Sequence, residues 1–328
     1  MSPITIFKKA AVRRKKTRTD TAMTKKRKIA IIVLSVIVAL VLAGTGWLAA
    51  FYFYRPSYLK STQEFDVSTV PYGEELTVMS YNLRFVTPLD CGKHSWFYRA
   101  DLVLDIIGDA APDLLGVQEM NVEHEEYLTS HLKGYSHRIV YRDNRPDKNA
   151  TGIFYRAERF TLIEEGQFWL SETPDKESRS WGTGNTRDAN YVVLHDKKTD
   201  KTFALYNTHL DSKSALAREN GIKVIAEKMK RHASMPIILI GDMNDYDTSV
   251  MYKNALSCGF IDSLKIAETS YVGNGQTYTK YGKSDEPRLD YCFLTDKNSK
   301  VSSYKVIDRK INGEYPSDHY PIVIKVKI

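Results

Sequence analysis

Six short stretches of the chain place reactive polar residues where an apolar strand pattern stops. VMSYNLRF stops at Asn82, LLGVQEM carries Glu119, ALYNTHLD carries His209 and Asp211, and IILIGDMND carries Asp242 and Asn244. RLDYCF adds Asp290, and PSDHYPIVI adds Asp318 and His319. Singly, an Asn or Asp after a strand is an ordinary turn or helix-cap residue. As a set, these carboxylates, carboxamides and imidazoles suit hydrolysis of a phosphate ester. Oxygen ligands suit Mg²⁺ or Mn²⁺, which keep several waters and need only one or two carboxylates. Carboxamides hold phosphate oxygens without repelling them. A His beside an Asp can orient and deprotonate water, because the carboxylate fixes its tautomer and stabilises its cation.

The elements that must position these residues alternate along the chain. ELTVMSYN reads as a strand, SWFYRADLVLDIIGDA as a helix and DLLGVQE as a short buried strand. TGIFYR, FTLIEEGQFWL, ANYVVLHD and KTFALYNTHL are β-rich and together read as a meander, with a hairpin loop in HDKKTDKT. SKSALARENGIKVIAEKMKRHA carries Leu216, Ile222, Ile225 and Met229 near helical spacing. PIILIGDMND, LDYCFL, SYKVID and PIVIKVKI are further strands. Interleaved βα and strand-rich stretches without a second linker predict one layered α/β domain over residues 75–328. In such folds ligand groups gather just beyond strand ends, where the six clusters lie.

Charge divides the chain. The protein carries +7 overall, yet residues 1–28 hold eleven Lys and Arg against Asp20, a surplus of ten that leaves about −3 for the remainder. The domain is therefore not basic, which disfavours long duplex DNA as its substrate. IAIIVLSVIVALVLAGTGWLAAFYFY follows, uncharged over residues 29–54 and long enough to cross the ~30 Å hydrocarbon core as one helix. Its aromatic end suits a headgroup interface, and its basic head predicts a cytoplasmic N-terminus with the domain outside the cytoplasm. A cleaved signal peptide is the competing reading, since Leu48-Ala49-Ala50 resembles a cleavage site. Residues 55–74 read as a linker, either a tether or a segment on the domain surface. Cys91, Cys258 and Cys292 are too few for a disulfide framework and lack zinc spacing, with one bridge left open. Nothing in the sequence marks a protein partner.

From about Leu76 to the C-terminus, the six stretches in this order resemble the endonuclease/exonuclease/phosphatase (DNase I-like) family, most specifically through GDMND and SDHYPI. FWLSETPD at Phe168 to Asp175 resembles a bacterial subgroup. The resemblance implies a four-layered α/β/β/α sandwich, preceded here by one transmembrane helix, and a metal-dependent phosphoesterase. By matched position, Glu119 would ligate Mg²⁺ or Mn²⁺, with Asn82 and Asp318 beside it. Asp242 would handle a proton, and Asn244 and His209 would contact the phosphate. His319 would bond phosphate or act as general base, oriented by Asp290. Many relatives carry a second His where this chain has Ser212, and the stretch SRSWGTGNTRDAN fits the pattern poorly and is a candidate for shaping substrate choice. An extracellular DNase-like nuclease and a non-catalytic surface-binding module on the same fold remain the alternatives.

Overall fold

The structure, a computed structural model, describes residues 24–50, 61–145 and 148–328, in two units that divide between Ser57 and Tyr58. The basic stretch through residue 23, the aromatic end of the apolar run and the first part of the expected linker lie outside the described residues. In the first unit, α1 (Thr24–Ala50) is long and apolar enough to cross a membrane, with a mean hydropathy of 2.7.

The second unit is a four-layered sandwich. One sheet has the order β12-β14-β15-β2-β3-β6-β5: Thr269–Tyr271, Lys300–Val306, Ile322–Lys327, Leu76–Asn82, Leu114–Met120, Ala150–Arg156 and Tyr135–Tyr141. The facing sheet has the order β11-β13-β10-β9-β8-β7: Ile261–Asp262, Asp290–Leu294, Ile237–Asp242, Lys201–His209, Asp188–Asp196 and Phe160–Trp169. Helices α2 (Trp96–Ala110) and α3 (Val122–His131) cover the first sheet. Helices α4 (Ala215–Met229) and α5 (Val250–Ser257) cover the second, and the single turn α6 (Ser263–Ile266) packs at its edge.

Strand alternation explains both the layers and the site. In β10, Ile238 and Ile240 enter the core between the sheets, while Ile237 and Leu239 enter the core under the helices. Burial on both faces accounts for its unbroken apolar run. Continuing the count puts Asp242 on the inter-sheet face. The same count puts Asn82 beyond Leu76 and Val78, His209 beyond Phe203 and Leu205, and Asp290 before Cys292 and Leu294 on that face. Below these polar ends, Gln118 Nε2 donates to Asn207 Oδ1 at 2.8 Å and to Ser80 Oγ at 3.1 Å. Asn207 Nδ2 donates to the carbonyls of Val117 and Gly152 in the opposite sheet. These bonds occupy the buried amide nitrogens of Gln118 and Asn207 and fix the sheets against each other directly beneath the site.

Two expectations change. The β-rich run is a meander only over β7, β8 and β9, because β6 pairs with β3 and β5 in the other sheet. The expected linker is folded from Phe65 onward, where β1 (Phe65–Asp66) pairs with β4 (Leu132–Lys133). Val67 is buried, and the buried Arg156 donates to the carbonyls of Val67 and Val70. Arg156 also pairs with Asp113 at 2.9 Å, and Arg159 pairs with Asp113 at 3.1 Å and Asp196 at 2.8 Å. This arginine cluster seals the end of the sandwich where β2 begins. The three cysteines are free thiols, with Cys292 buried in the core.

Candidate active site

The second sheet supplies the centre of the site. Gly241 precedes Asp242 with φ of 150°, and a Cβ there would lie 2.0 Å from the Thr208 carbonyl oxygen. Only glycine permits this approach of β10 to β9, which pairs Asp242 with His209. Antiparallel pairing sets Asp290 of β13 on the other side of Asp242. Asn82 reaches across from the first sheet, its Nδ2 donating to Asp242 Oδ2 at 2.9 Å. His209 Nε2 lies 3.5 Å and His319 Nε2 3.8 Å from the same oxygen. The other ring nitrogen of His319 meets Asp290 Oδ2 at 2.9 Å.

The segment before His319 is held in place from several directions. Ser317 Oγ donates to the Asn82 carbonyl at 2.7 Å, and the Asp318 carbonyl accepts from Thr279 N at 2.7 Å. Arg99, wholly buried, donates to the carbonyls of Pro316, Leu83, Arg84 and His94. One guanidinium thus joins the end of β2 to the loop carrying Asp318 and His319.

Glu119 follows a different rule. Strict alternation would send it outward with Leu115 and Val117, but the β3–β6 pairing slips between Val117 and Met120, and Glu119 takes φ of 60°. The bulge re-aims the side chain. Glu119 Oε2 accepts from Phe85 N at 3.0 Å, and its charge acts on both Asp318 and Arg84. Asn244 is also left-handed at φ of 49°; its N–H donates to Asp242 Oδ1 at 2.8 Å and its Nδ2 to the Leu210 carbonyl at 3.0 Å.

Electrostatics separate the roles. Burial opposes charge on His319, but Asp290 and Asp242 outweigh it and raise its pKa. Burial, reinforced by Asp290, pushes Asp242 upward as well. The cluster therefore holds a proton between two carboxylates and an imidazole. His209 moves well below the ordinary histidine value through burial, with Arg187 and Arg142 nearby, and is neutral.

A divalent cation fits on the Glu119 side. Asp318 Oδ1 is buried without a hydrogen bond among the described residues, and burial with repulsion from Glu119 raises Asp318. Two carboxylates close enough to repel each other, one with an unused oxygen, suit a hard cation. Asp242, Asp290 and His319 also bring ligand atoms within 4.8 Å of one another. There Asp242 Oδ2 takes the Asn82 amide and Asp290 Oδ2 the His319 ring, while Asp290 Oδ1, like Asp318 Oδ1, is buried without a hydrogen bond among the described residues. A cation bound through the two engaged oxygens would displace that proton-holding pair.

Of the nine residues singled out in the sequence, eight gather at this end of the sandwich: Asn82, Glu119, His209, Asp242, Asn244, Asp290, Asp318 and His319. Asp211 is a turn residue instead, accepting from Lys213 N and Ser214 N as the chain enters α4. The sequence reading named none of three arginines at this end individually, although Arg187 lies in the SRSWGTGNTRDAN stretch put forward for substrate choice. Arg84 pairs with Asp90 and lies 3.8 Å from Asp318. Arg187 lies 3.4 Å from Asp211, and Arg142 sits at the end of β5.

A family model described as "Endonuclease/Exonuclease/phosphatase family" matches residues 79–319. A mannosyl-6-phosphatase of Bacteroides thetaiotaomicron is 31% identical, covering 76% of this chain and 99% of that one, with a TM-score of 0.71. Another protein of this family from the same organism is 32% identical over 77% of this chain and 97% of that one, also with a TM-score of 0.71. The Ccr4 exoribonuclease subunit of Schizosaccharomyces pombe is 21% identical, and human nocturnin is 26% identical. The matches cover 80% and 70% of this chain, but only 50% and 57% of those relatives' own length.

Proposed function

The chain belongs to the endonuclease/exonuclease/phosphatase family, whose members hydrolyse phosphoester bonds, and from that premise we propose that it is a divalent-metal-dependent phosphoesterase acting outside the cytoplasm from a membrane anchor. The observation that carries the reading is the convergence of Asn82, His209 and His319 on one carboxylate oxygen of Asp242.

In this reading Asp242, oriented by the Asn82 amide, positions a water and accepts its proton as the water oxygen attacks phosphorus. His319, charged against Asp290, donates to a phosphoryl oxygen that gains negative charge. The neutral His209 donates a second hydrogen bond to the phosphate, and Asn244 offers its remaining amide hydrogen. Glu119 and Asp318, with Asn82 alongside, would hold Mg²⁺ or Mn²⁺, which supplies Lewis-acid neutralisation of the phosphoryl charge. The P–O ester bond breaks and the leaving oxygen takes up a proton from solvent, releasing phosphate and an alcohol, or a phosphomonoester and an alcohol from a diester.

The favoured substrate is a small or lipid-borne phosphate ester. A domain near −3 has little surplus cation with which to displace the counterions of a duplex. The mannosyl-6-phosphatase likeness supports a sugar phosphate among the candidates. A nuclease is the second reading, supported by the Ccr4 likeness. Anchoring through α1, with basic residues on its N-terminal side, fits a cytoplasmic N-terminus and holds enzyme and membrane substrate together.

Initial rates on plasmid DNA, bis-p-nitrophenyl phosphate, sugar phosphates and phospholipids, at low and physiological salt, test the substrate reading. DNA cleavage exceeding the others by orders of magnitude at physiological salt restores the nuclease. Protease added to intact cells tests the topology: digestion only after permeabilisation reverses the orientation.

A further inference from the structure

We propose that Arg142 and Arg187 form a guanidinium subsite beside the reacting phosphorus that selects a dianionic phosphomonoester over a monoanionic phosphodiester. The proposal rests on the phosphoesterase reading and names its substrate class.

The two arginines come from different sheets and meet at the same end. Tyr141, the last residue of β5, pairs with Ala150, and Ala150 pairs with Met120, so Arg142 leaves its sheet level with Glu119. Ala189 pairs with Thr208, so Arg187, two positions earlier, leaves the facing sheet beside His209. Thr186 Oγ1 donates to Asp143, latching the two chain segments together. Asp143 adopts the left-handed conformation, φ 57°, to receive this bond.

Neither guanidinium is fully used by the fold. Arg187 is buried, yet its contacts to Asp211 Oδ2 and the His209 carbonyl are both long, at 3.4 Å. Arg142 is half-buried and has no ion pair with any described carboxylate. Asp188, which faces it, accepts instead from Gln167 Nε2 at 3.1 Å. Burial and the charge of Arg187 lower the pKa of Arg142 to about 10, where it still carries its proton at neutral pH. Asp211 meets Arg187 only at 3.4 Å, and Asp188, Glu119 and Asp143 act on Arg142 without an ion pair, so an anion between the two guanidinium groups would add the close charged contacts that these acids do not make.

The anion must also fit the neighbouring chemistry. His209, whose charge both arginines suppress, is the imidazole nearest them on the phosphate side. A phosphomonoester near pH 7 carries charge beyond the single charge of a diester, because its second ionisation lies near pH 6. The extra charged oxygen stands where a diester carries its second, esterified and uncharged oxygen. Planar guanidinium groups suit such paired oxygens and do not lose charge when half-buried.

The test uses full-length protein in detergent micelles with Mg²⁺, comparing p-nitrophenyl phosphate with bis-p-nitrophenyl phosphate. In Arg142→Gln, kcat/KM for the monoester should fall about tenfold or more while the diester value stays within about threefold, the loss of one charged hydrogen bond. Arg142→Lys should recover most of the monoester rate, and diester turnover in each variant reports an intact site. Separately, inorganic phosphate should raise the melting temperature of wild type more than that of Arg142→Gln. A monoester-to-diester ratio within about twofold of wild type, or equal phosphate protection in both proteins, overturns the subsite. If wild type hydrolyses neither ester, the phosphoesterase reading fails and phosphate protection alone decides the subsite.

Discussion

The Asn82 amide nitrogen lies 2.9 Å from an Asp242 carboxylate oxygen, joining the ends of two strands that belong to different sheets. The bond fixes the acceptor lone pairs of Asp242 and couples the site to the spacing of the sandwich. Removing it leaves a buried carboxylate with fewer donors and a free rotamer.

Asn82→Ala should lower kcat by roughly 10²- to 10³-fold, comparable with losing one preorganised donor, while KM changes little. Asn82→Asp should be worse, because it sets a second carboxylate against Asp242. Steady-state kinetics beside circular dichroism of each variant checks both outcomes.

The His319–Asp290 contact predicts a pH effect. Burial lowers the pKa of His319, but Asp290 and Asp242 outweigh it, so the imidazolium persists above the ordinary histidine range. Activity that needs the charged ring is therefore retained at neutral pH and lost as pH rises through the elevated value. Asp290→Asn removes one raising charge, so the alkaline limb should move to lower pH and kcat should fall up to about 10⁴-fold. An unmoved alkaline limb contradicts the assignment.

Gly241→Ala should destabilise the domain by at least about 2 kcal/mol through close contact with Thr208 and a strained φ. Thermal melting of the solubilised protein measures the loss. Activity should fall further than stability alone accounts for, because β10 carries Asp242.

Asp113 is the shared partner of Arg156 and Arg159. Asp113→Ala leaves both cations short of a buried carboxylate, a loss of about 3–5 kcal/mol. Because Arg156 also grips the carbonyls of Val67 and Val70, residues 61–74 should become sensitive to limited proteolysis before the rest of the domain.

Much of this site was legible because period-two alternation is local. Apolar runs ending in Asn82, His209 and Asp242 state both the strand and the face, and the inter-sheet placement follows from counting. Glu119 was visible as a polar residue at a strand end, but its direction depends on a bulge that alternation cannot express. The partition of β6 away from β7, β8 and β9 depends on which edge has an open partner, a nonlocal matter. Helix α3, VEHEEYLTSH, has too few apolar residues to show a stripe, and its placement comes from the buried Tyr127 and Leu128. Arg142 and Arg187 resemble ordinary surface charges in sequence, since only the fold brings their segments together.

The most direct test of the account is divalent-cation dependence in full-length protein stripped with a chelator, comparing wild type with Glu119→Gln. The account predicts that stripped wild type is inactive and regains turnover with Mg²⁺ or Mn²⁺. It also predicts that Glu119→Gln melts at the same temperature as wild type without cation, yet recovers no more than about one hundredth of the activity. Full turnover by stripped wild type, or full cation-restored turnover by Glu119→Gln, would contradict it.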